Sequence, residues 1–579
     1  MNRREFLKIS GIACASLFAG TSRISASEPT ADLVLVNGTV VTVDPLDSVV
    51  QAIAVKNGRI LDVGNDARIR RYIGHSIKVI DLAGDTVTPG LIDAHAHLPF
   101  FGLRENGTWV NLHQCETKDE VLSKLAERTK KLPKGAWVYA WGIADFTHHF
   151  LNRGDLDHVS REHPILAAHT SGQWGFASTL ALQISGIDKN TPNPPGAEIG
   201  HSWGGTPTGL LVHYQAIYLV RRMLPQISYE KFEEAVLFAQ NLYAKEGVTA
   251  IHDNFLQVAE MSSSNSVEAY LTTLSSNKMP LRVKLWPYMP NLRQARRGIT
   301  DIFSGKDPAP DSDYRKLALL RTENPSLFAD IWGGWKLATD GGGPASLYYR
   351  NPSAVPMHQE EELNEMVKLF HETGQQISVH AVGDKAVDLT ITSFLNALKS
   401  HPRKDHRHRI EHALAPSPIA LDRMAKHGIV VCTHPQWIYK WFDKAPLLKQ
   451  LDMQRGIVPL RSYIQHNISV ALGADPPAFP LYRPQLALWQ AVAHITEKQY
   501  QFSTSETIPV NTALRLQTMG SAYAGFQERD LGSIEKGKCA DLVVWEKNFC
   551  TAPVNRIKDI KAKMTMVGGS VVYDRNQSP

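Results

Sequence analysis

"EELNEMVKLFHETGQQISVHAVGD", residues 361–384, sets apolar residues at helical spacing, then a glycine turn at Gly374, then a short apolar run that stops at His380. Positions three and four apart share a helix face, and a short apolar run bounded by turn residues reads as a strand. Helix, turn and strand in that order predict one unit of a parallel sheet. The same order returns in "LFAQNLYAKEGVTAIHDN" (237–254) and "PIALDRMAKHGIVVCTHP" (418–435). Polar and ionisable residues recur at the C-terminal ends of the apolar runs. That is where a closed eight-stranded barrel carries its active site.

Upstream, "TVTPGLIDAHAHLPF" (86–100) ends an apolar run in His95 and His97. A strand alternates faces with period two, so the two imidazoles share a face and Ala96 takes the other. At a barrel mouth that face suits a metal; the alternative is two histidines in a polar turn. Downstream, "NPSLFADIWGGWKLATDGGGPA" (324–345) puts Lys336 near the end of another apolar run. Burial lowers a lysine pKa, and a neutral amine reacts with carbon dioxide to give a carbamate, an anion able to bridge two cations. A snorkelling surface lysine is the alternative. "HRHRIEHALAP" (406–416) puts His412 at a strand end, as His380 is, and "NISVALGADPPAFP" (467–480) does the same for Asp475. Singly, His380 and His412 read equally as hydrogen-bonded structural residues. As a set, these ligand types suit zinc or another borderline divalent ion.

The chain ends read differently. "ADLVLVNGTVVTV" (31–43), "SVVQAIAVKNGRILDVG" (48–64) and "HSIKVIDLAGDTVTPG" (75–90) are short β-branched runs broken by Asn-Gly turns, and "GSIEKGKCADLVVWEKN" (532–548) and "KAKMTMVGGSVVYD" (561–574) answer them. Both ends are expected to build one small β domain. Residues 100–235 break the alternation: they hold "NTPNPPGAEIGHSWGGTPTG" (190–209) and Trp137, Trp141, Trp174 and Trp203. This insertion reads as a cap over the mouth, the alternative being a surface subdomain whose tryptophans fill its own core. The expected organisation is an export signal at 1–27, a β domain from 31–87 and 526–579, and a barrel at 88–525 interrupted at 100–235.

"MNRREFLKISGIACASLFAGTSRISASEP" opens with Arg3, Arg4 and Lys8, then an apolar segment too short to span a bilayer. Adjacent arginines before "EFLK" resemble a twin-arginine signal, which implies the twin-arginine translocation machinery as a partner and a periplasmic or secreted location. Removing residues 1–26 takes away four basic side chains and one acidic, and the formal charge falls from +5 to +2. The remaining charge is that of an ordinary soluble protein, with no basic block that would suggest nucleic acid. No later segment predicts a membrane span. Cys115, Cys432, Cys539 and Cys550 are too few for a disulfide scaffold and include no Cys-x-x-Cys. "GSIEKGKC" nearly spells a phosphate loop, but it ends in Cys and lies outside a strand-to-helix unit.

Taken together, "TPGLIDAHAHL", "GVTAIHD", "WKLATDG", "VHAVGDKAVD", "RIEHA", "LGADPP" and "GSIEKGKCADLVVW" resemble the amidohydrolase superfamily, within it the amidohydrolase 3 or YtcJ-like branch and its N-substituted formamide deformylase type. The resemblance covers residues 31–575. It implies a TIM-like (β/α)8 metal-dependent hydrolase barrel with a small β-sandwich from both chain ends. His95, His97 and Asp475 are implied as ligands of one Zn2+, His380 and His412 of a second, and carbamylated Lys336 as the bridge. Asp475 is implied as general base for a metal-activated water that opens a non-peptide carbon–nitrogen bond in a small-molecule substrate. The resemblance gives His252 no metal role, which leaves it as a wall residue; Glu411, next to His412 on a strand, reads as a structural partner facing the other way; a homodimer is one assembly open to the chain, whose oligomeric state the sequence does not fix. Three departures fall where substrate is expected: Ser171-Gly172-Gln173 for Asp-Gly-His, His213 for a glutamate, and "DGGGPASLY" (340–348) after the lysine strand. They leave the ligand set intact, so hydrolysis of an altered substrate is expected. The competing readings are a heterocycle deaminase, marked by ammonia release, and a non-catalytic periplasmic binding or regulatory protein, marked by absence of metal. A serine hydrolase is disfavoured by the lack of Gly-x-Ser-x-Gly.

Overall fold

The computed structural model describes residues 30–577 apart from 76, 144–150, 195, 257–263, 277, 309–311, 313, 343–345, 351–353, 443–445 and 479–480. The expected signal at 1–27 lies outside the described residues.

Eight parallel strands form the central part: β1 (Leu91–Ala96), β2 (Val248–Leu256), β3 (Arg282–Pro287), β4 (Trp335–Ala338), β5 (Ile377–Ala381), β6 (Arg409–His412), β7 (Val430–Thr433) and β8 (Val470–Leu472). They run as two arcs, β3-β2-β1 and β4-β5-β6-β7-β8. Parallel bridges Leu285–Trp332 and Tyr288–Lys336 join β3 to β4. At the other seam the Asp475 N–H donates to the His95 carbonyl at 2.7 Å, and Gln517 Nε2 donates to the carbonyls of Ile92 and Leu472. The sheet is thereby closed.

The units form for the reasons their sequences give. Helix Glu360–Glu372 buries Leu363, Met366, Val367 and Phe370 on one face and opens with three glutamates, which complement its N-terminal dipole. Strands β4, β6, β7 and β8 are buried throughout, as expected of strands covered on both faces. Within the barrel, Arg409, Glu411, Ser378 and Asn254 make a connected polar layer just below the mouth.

The two ends meet in two sheets. One pairs Leu33–Val36, Ala52–Lys56, Arg59–Gly64 and Lys78–Asp81; the other runs Thr86–Pro89 antiparallel to Leu542–Trp545. Leu35, Ile53, Val87, Leu542 and Met566 share one apolar core between them. The Asn57-Gly58 turn between Lys56 and Arg59 has positive φ at both residues (49° and 73°), the backbone that Asn-Gly provides most cheaply. Arg282 of β3 pairs with Asp541 at 2.7 Å and ties this domain to the barrel.

Between β1 and β2 the chain folds its own six-stranded mixed sheet from Val110–Asn111, Val138–Ile143, Ile165–His169, Gly175–Ala177, Glu198–His201 and Pro207–Val212. Trp141 and Trp174 are buried in the two cores flanking that sheet, whereas Trp203 is fully exposed. No described helix is long and apolar enough to cross a membrane.

Candidate metal centre

His95 and His97 lie at the end of β1 and face Asp475, which follows β8. The distances from Asp475 Oδ1 are 2.8 Å to His97 Nε2 and 3.5 Å to His95 Nε2. Backbone bonds fix this meeting: the Asp475 N–H reaches the His95 carbonyl, and the His97 N–H reaches the Pro476 carbonyl at 2.9 Å. Burial raises the Asp475 carboxyl, but His95 and His97 more than offset this and hold it at about 2. It is therefore ionised at neutral pH. His95 Nδ1 lies 2.5 Å from Glu411 Oε2, which fixes Nδ1–H as the donor and turns Nε2 toward Asp475.

Glu411 thus faces the cluster, against the expectation that it points the other way. It sits two residues after Arg409 on β6, so both side chains enter the lumen, where Arg409 Nε donates to Glu411 Oε1 at 2.5 Å. Burial works against the charge, but Arg409, His95 and Lys336 hold Glu411 well below the usual carboxylate range. His412 comes next and reaches the same centre by a different route. It has φ +79°, a left-handed conformation that a non-glycine residue rarely adopts, and Ala413 follows at +43°. Asp475 is also left-handed, at +54°. Strain of this kind persists where surrounding contacts over-determine it; here the Ala413 N–H reaches the Ala381 carbonyl and Tyr463 Oη holds the Ala413 carbonyl at 2.6 Å.

His412 Nε2 lies 2.7 Å from His380 Nδ1, and the His95 and His412 ring centroids are 5.1 Å apart. His380 Nε2 lies 3.7 Å from Asp340, a buried carboxyl that accepts the backbone N–H groups of Leu347, Val382 and Gly383. Lys336 is 4% exposed, and its Nζ has no hydrogen-bond partner among the described residues. Burial lowers its pKa to about 8, with the Glu411 and Asp475 charges opposing the fall. All six sequence-selected residues are therefore gathered at the C-terminal end of the barrel.

A model of the amidohydrolase family matches residues 78–573. The chain belongs to this family. It is a hydrolytic enzyme acting on carbon–nitrogen bonds. It is 29% identical to Protein LONG AFTER FAR-RED 3 of Arabidopsis thaliana, over 94% of this chain and 92% of that one. It is 27% identical to the N-substituted formamide deformylase of Arthrobacter pascens, over 94% and 99%. An uncharacterised metal-dependent hydrolase of Pyrococcus horikoshii shares its fold at TM-score 0.67 and 18% identity, over 90% and 99%.

In this amidohydrolase the insertion reaches the loops around the centre. Gln173 Oε1 accepts the Gly342 N–H at 3.1 Å, just after β4, and Thr170 Oγ1 bonds the Ala478 carbonyl, just after β8. Arg221 Nη2 holds the Gly172 carbonyl between them at 2.8 Å. Arg221 ends the helix that starts after His213, so two of the three sequence departures are physically linked. Of the third, residues 343–345 lie outside the described residues. His252 bonds Gln527 and Arg409 within the barrel, as a wall residue would.

Sequence reading missed His434. It follows β7, is 1% exposed, and its ring centroid lies 5.2 Å from that of His95 and 4.9 Å from that of His412. Its signal was the rule already applied elsewhere: "VVCTHP" is an apolar run ending in an imidazole.

Proposed function

We propose that this chain hydrolyses a non-peptide amide, formamide or cyclic amide, using one or two divalent ions, zinc among them. His95, His97 and Asp475 are the proposed donors on one side, His380 and His412 on the other, with carbamylated Lys336 between. The supporting observation is the convergence of four imidazoles and a carboxylate on a buried lysine whose amine has no partner among the described residues. A buried polar group left unsatisfied is costly, and a borderline cation fits this donor chemistry. The formamide class is supported by the named activity of the Arthrobacter relative.

A cation held there supplies Lewis acidity that activates water and polarises a carbonyl. Asp475, ionised between His95 and His97, accepts the water proton and returns it to the leaving nitrogen. Glu411 keeps His95 in the tautomer that leaves Nε2 available. The turn at residues 170–173 bounds the substrate side and sets which acyl or amine group enters.

The test is metal analysis of purified protein with a screen of N-substituted formamides, lactams and hydantoins. Expected are one or two equivalents of metal, acid and amine release, and loss of turnover with chelator. Undiminished turnover by metal-free protein overturns the reading, and ammonia release from heterocycles moves it to deamination. We also propose folded export through the twin-arginine machinery, on Arg3 and Arg4 before "EFLK". Unchanged export of the Arg3→Lys/Arg4→Lys precursor overturns that.

A further inference from the structure

His434 follows β7, a strand that neither the motif reading nor the family resemblance supplied with a ligand. Its ring stacks on Trp437 at 4.5 Å and 19°. Ring nitrogens lie in the ring plane, so the stack fixes the plane and leaves them directed away from the indole. The Gly473 backbone lies beside the ring, yet neither nitrogen makes a well-formed hydrogen bond with a described residue. A nitrogen of His434, a nitrogen of His95 and Cys432 Sγ lie within 4.8 Å of one another, a group that shares His95 with the group of His95, His97 and Asp475. The acidic groups acting on the ring are Asp475 and Glu411, the first a proposed ligand and the second the partner of another.

We infer that His434 is a further nitrogen donor to a cation bound at His95. The inference rests on the metal reading above. A structural histidine this buried finds partners for both nitrogens; His434 has at most the Gly473 backbone for one of them, with the His95 and His412 rings on two sides. Cys432 is the weaker candidate, because it lies against Arg409 and Glu411 and burial raises its thiol well above the usual range. A third imidazole moves the donor set further toward zinc or cobalt and away from magnesium or calcium.

The test compares wild-type, His434→Gln and His95→Ala proteins, stripped of metal and titrated with Co2+ against a chromophoric chelator. Expected for His434→Gln are an unchanged metal-free melting curve, a changed visible Co2+ spectrum, and an affinity loss of at least the roughly 10- to 100-fold that follows loss of an outer partner. Millimolar imidazole added to His434→Ala restores part of the spectrum. Wild-type affinity and spectrum in His434→Gln overturn the inference, including the case where only KM changes, which makes His434 a substrate contact. If His434→Gln keeps metal while His95→Ala loses it, only this inference falls. If both keep metal, the metal reading itself falls. Should the His434 variants misfold, X-ray absorption of His412→Ala protein with one Co2+ decides: three imidazoles support His434 as donor, and two overturn it.

Discussion

Two clusters of buried histidines lie at opposite ends of β5 and β6, and they differ in how far their polar atoms are satisfied. At the N-terminal end, His371 Nδ1 meets His408 Nε2 at 2.9 Å, and His371 Nε2 meets the His401 carbonyl at 2.6 Å. His408 Nδ1 accepts the Ile377 N–H, while His406 accepts the His408 N–H and bonds the His427 carbonyl. Every ring nitrogen of His371, His406 and His408 therefore has a partner. At the C-terminal end, His412 Nδ1 and Lys336 Nζ have none among the described residues, and two imidazole nitrogens face each other at 2.7 Å. Burial lowers His408 and His412 alike, well below the ordinary histidine range. Burial and perturbed pKa do not separate the clusters; satisfaction of the polar atoms does.

The largest effect expected from breaking this contrast is at Lys336. Lys336→Ala removes the proposed bridge and should lower turnover by on the order of 10³-fold or more, with loss of bound metal and a nearly unchanged fold. Lys336→Arg should fail as well, because guanidinium forms no carbamate. Intact mass of metal-loaded protein reads the modification: a free amine at full metal occupancy and full activity removes the bridge.

Glu411 comes next, because it belongs to the polar layer that serves the centre. Glu411→Gln should weaken metal binding by roughly 10- to 100-fold by loosening His95. It should also lower stability, since Arg409 is left buried without its carboxylate, a loss of about 3 to 5 kcal/mol for a fully broken pair. Chelator competition and urea unfolding measure the two effects separately. Unchanged metal affinity would make Glu411 a partner of Arg409 alone.

At the satisfied cluster the same measurements should split the other way. His408→Asn should leave metal content at the wild-type level and cost about 1 to 3 kcal/mol of stability, the penalty for buried groups left without partners. The pH dependence has a definite sign. The folded-state pKa of His408 lies below its unfolded value, so the unfolded chain binds the extra proton. This stabilisation is complete above the unfolded pKa of about 6.5 and is lost as pH falls below it. The urea midpoint of metal-free protein should fall more steeply on acidification in wild type than in His408→Asn. Parallel curves would remove His408 from acid sensitivity.

What could be read in sequence, and what could not, follows the same division. His95, His97, His380 and His412 were legible because each ends an apolar run, and a strand end at the barrel mouth is a position as well as a residue type. Asp475 was legible after a glycine for the same reason. His434 obeyed that rule and was passed over because no family motif marked it. The inward face of Glu411 was misread because period-two alternation was counted from His412, whose left-handed backbone breaks the alternation. The linkage of residues 170–173 to the loops after β4 and β8 was not legible at all. It depends on contacts between residues more than 160 positions apart, such as Gln173 and Gly342.

That linkage supports the smallest prediction. Gln173 accepts one hydrogen bond from the loop after β4, and Gly342 packs against Ser171 so closely that an added Cβ would lie 3.0 Å from the serine Cβ. The turn is therefore set by the insertion on one side and the lysine strand on the other. Gln173→Ala removes one bond worth about 0.5 to 1.5 kcal/mol, which corresponds to about two- to tenfold in kcat/KM. Because the bond lies on the proposed substrate side, the change should differ between substrates with different acyl groups, while metal content stays constant. Arg221→Met should act in the same direction by freeing the Gly172 carbonyl, and the double variant should give less than the sum, because both residues hold one turn. Ratios of kcat/KM across a formamide series measure this. Equal losses for every substrate would assign the turn to general folding of the insertion, and a fall in metal content would draw it into the centre beside the unsatisfied histidines.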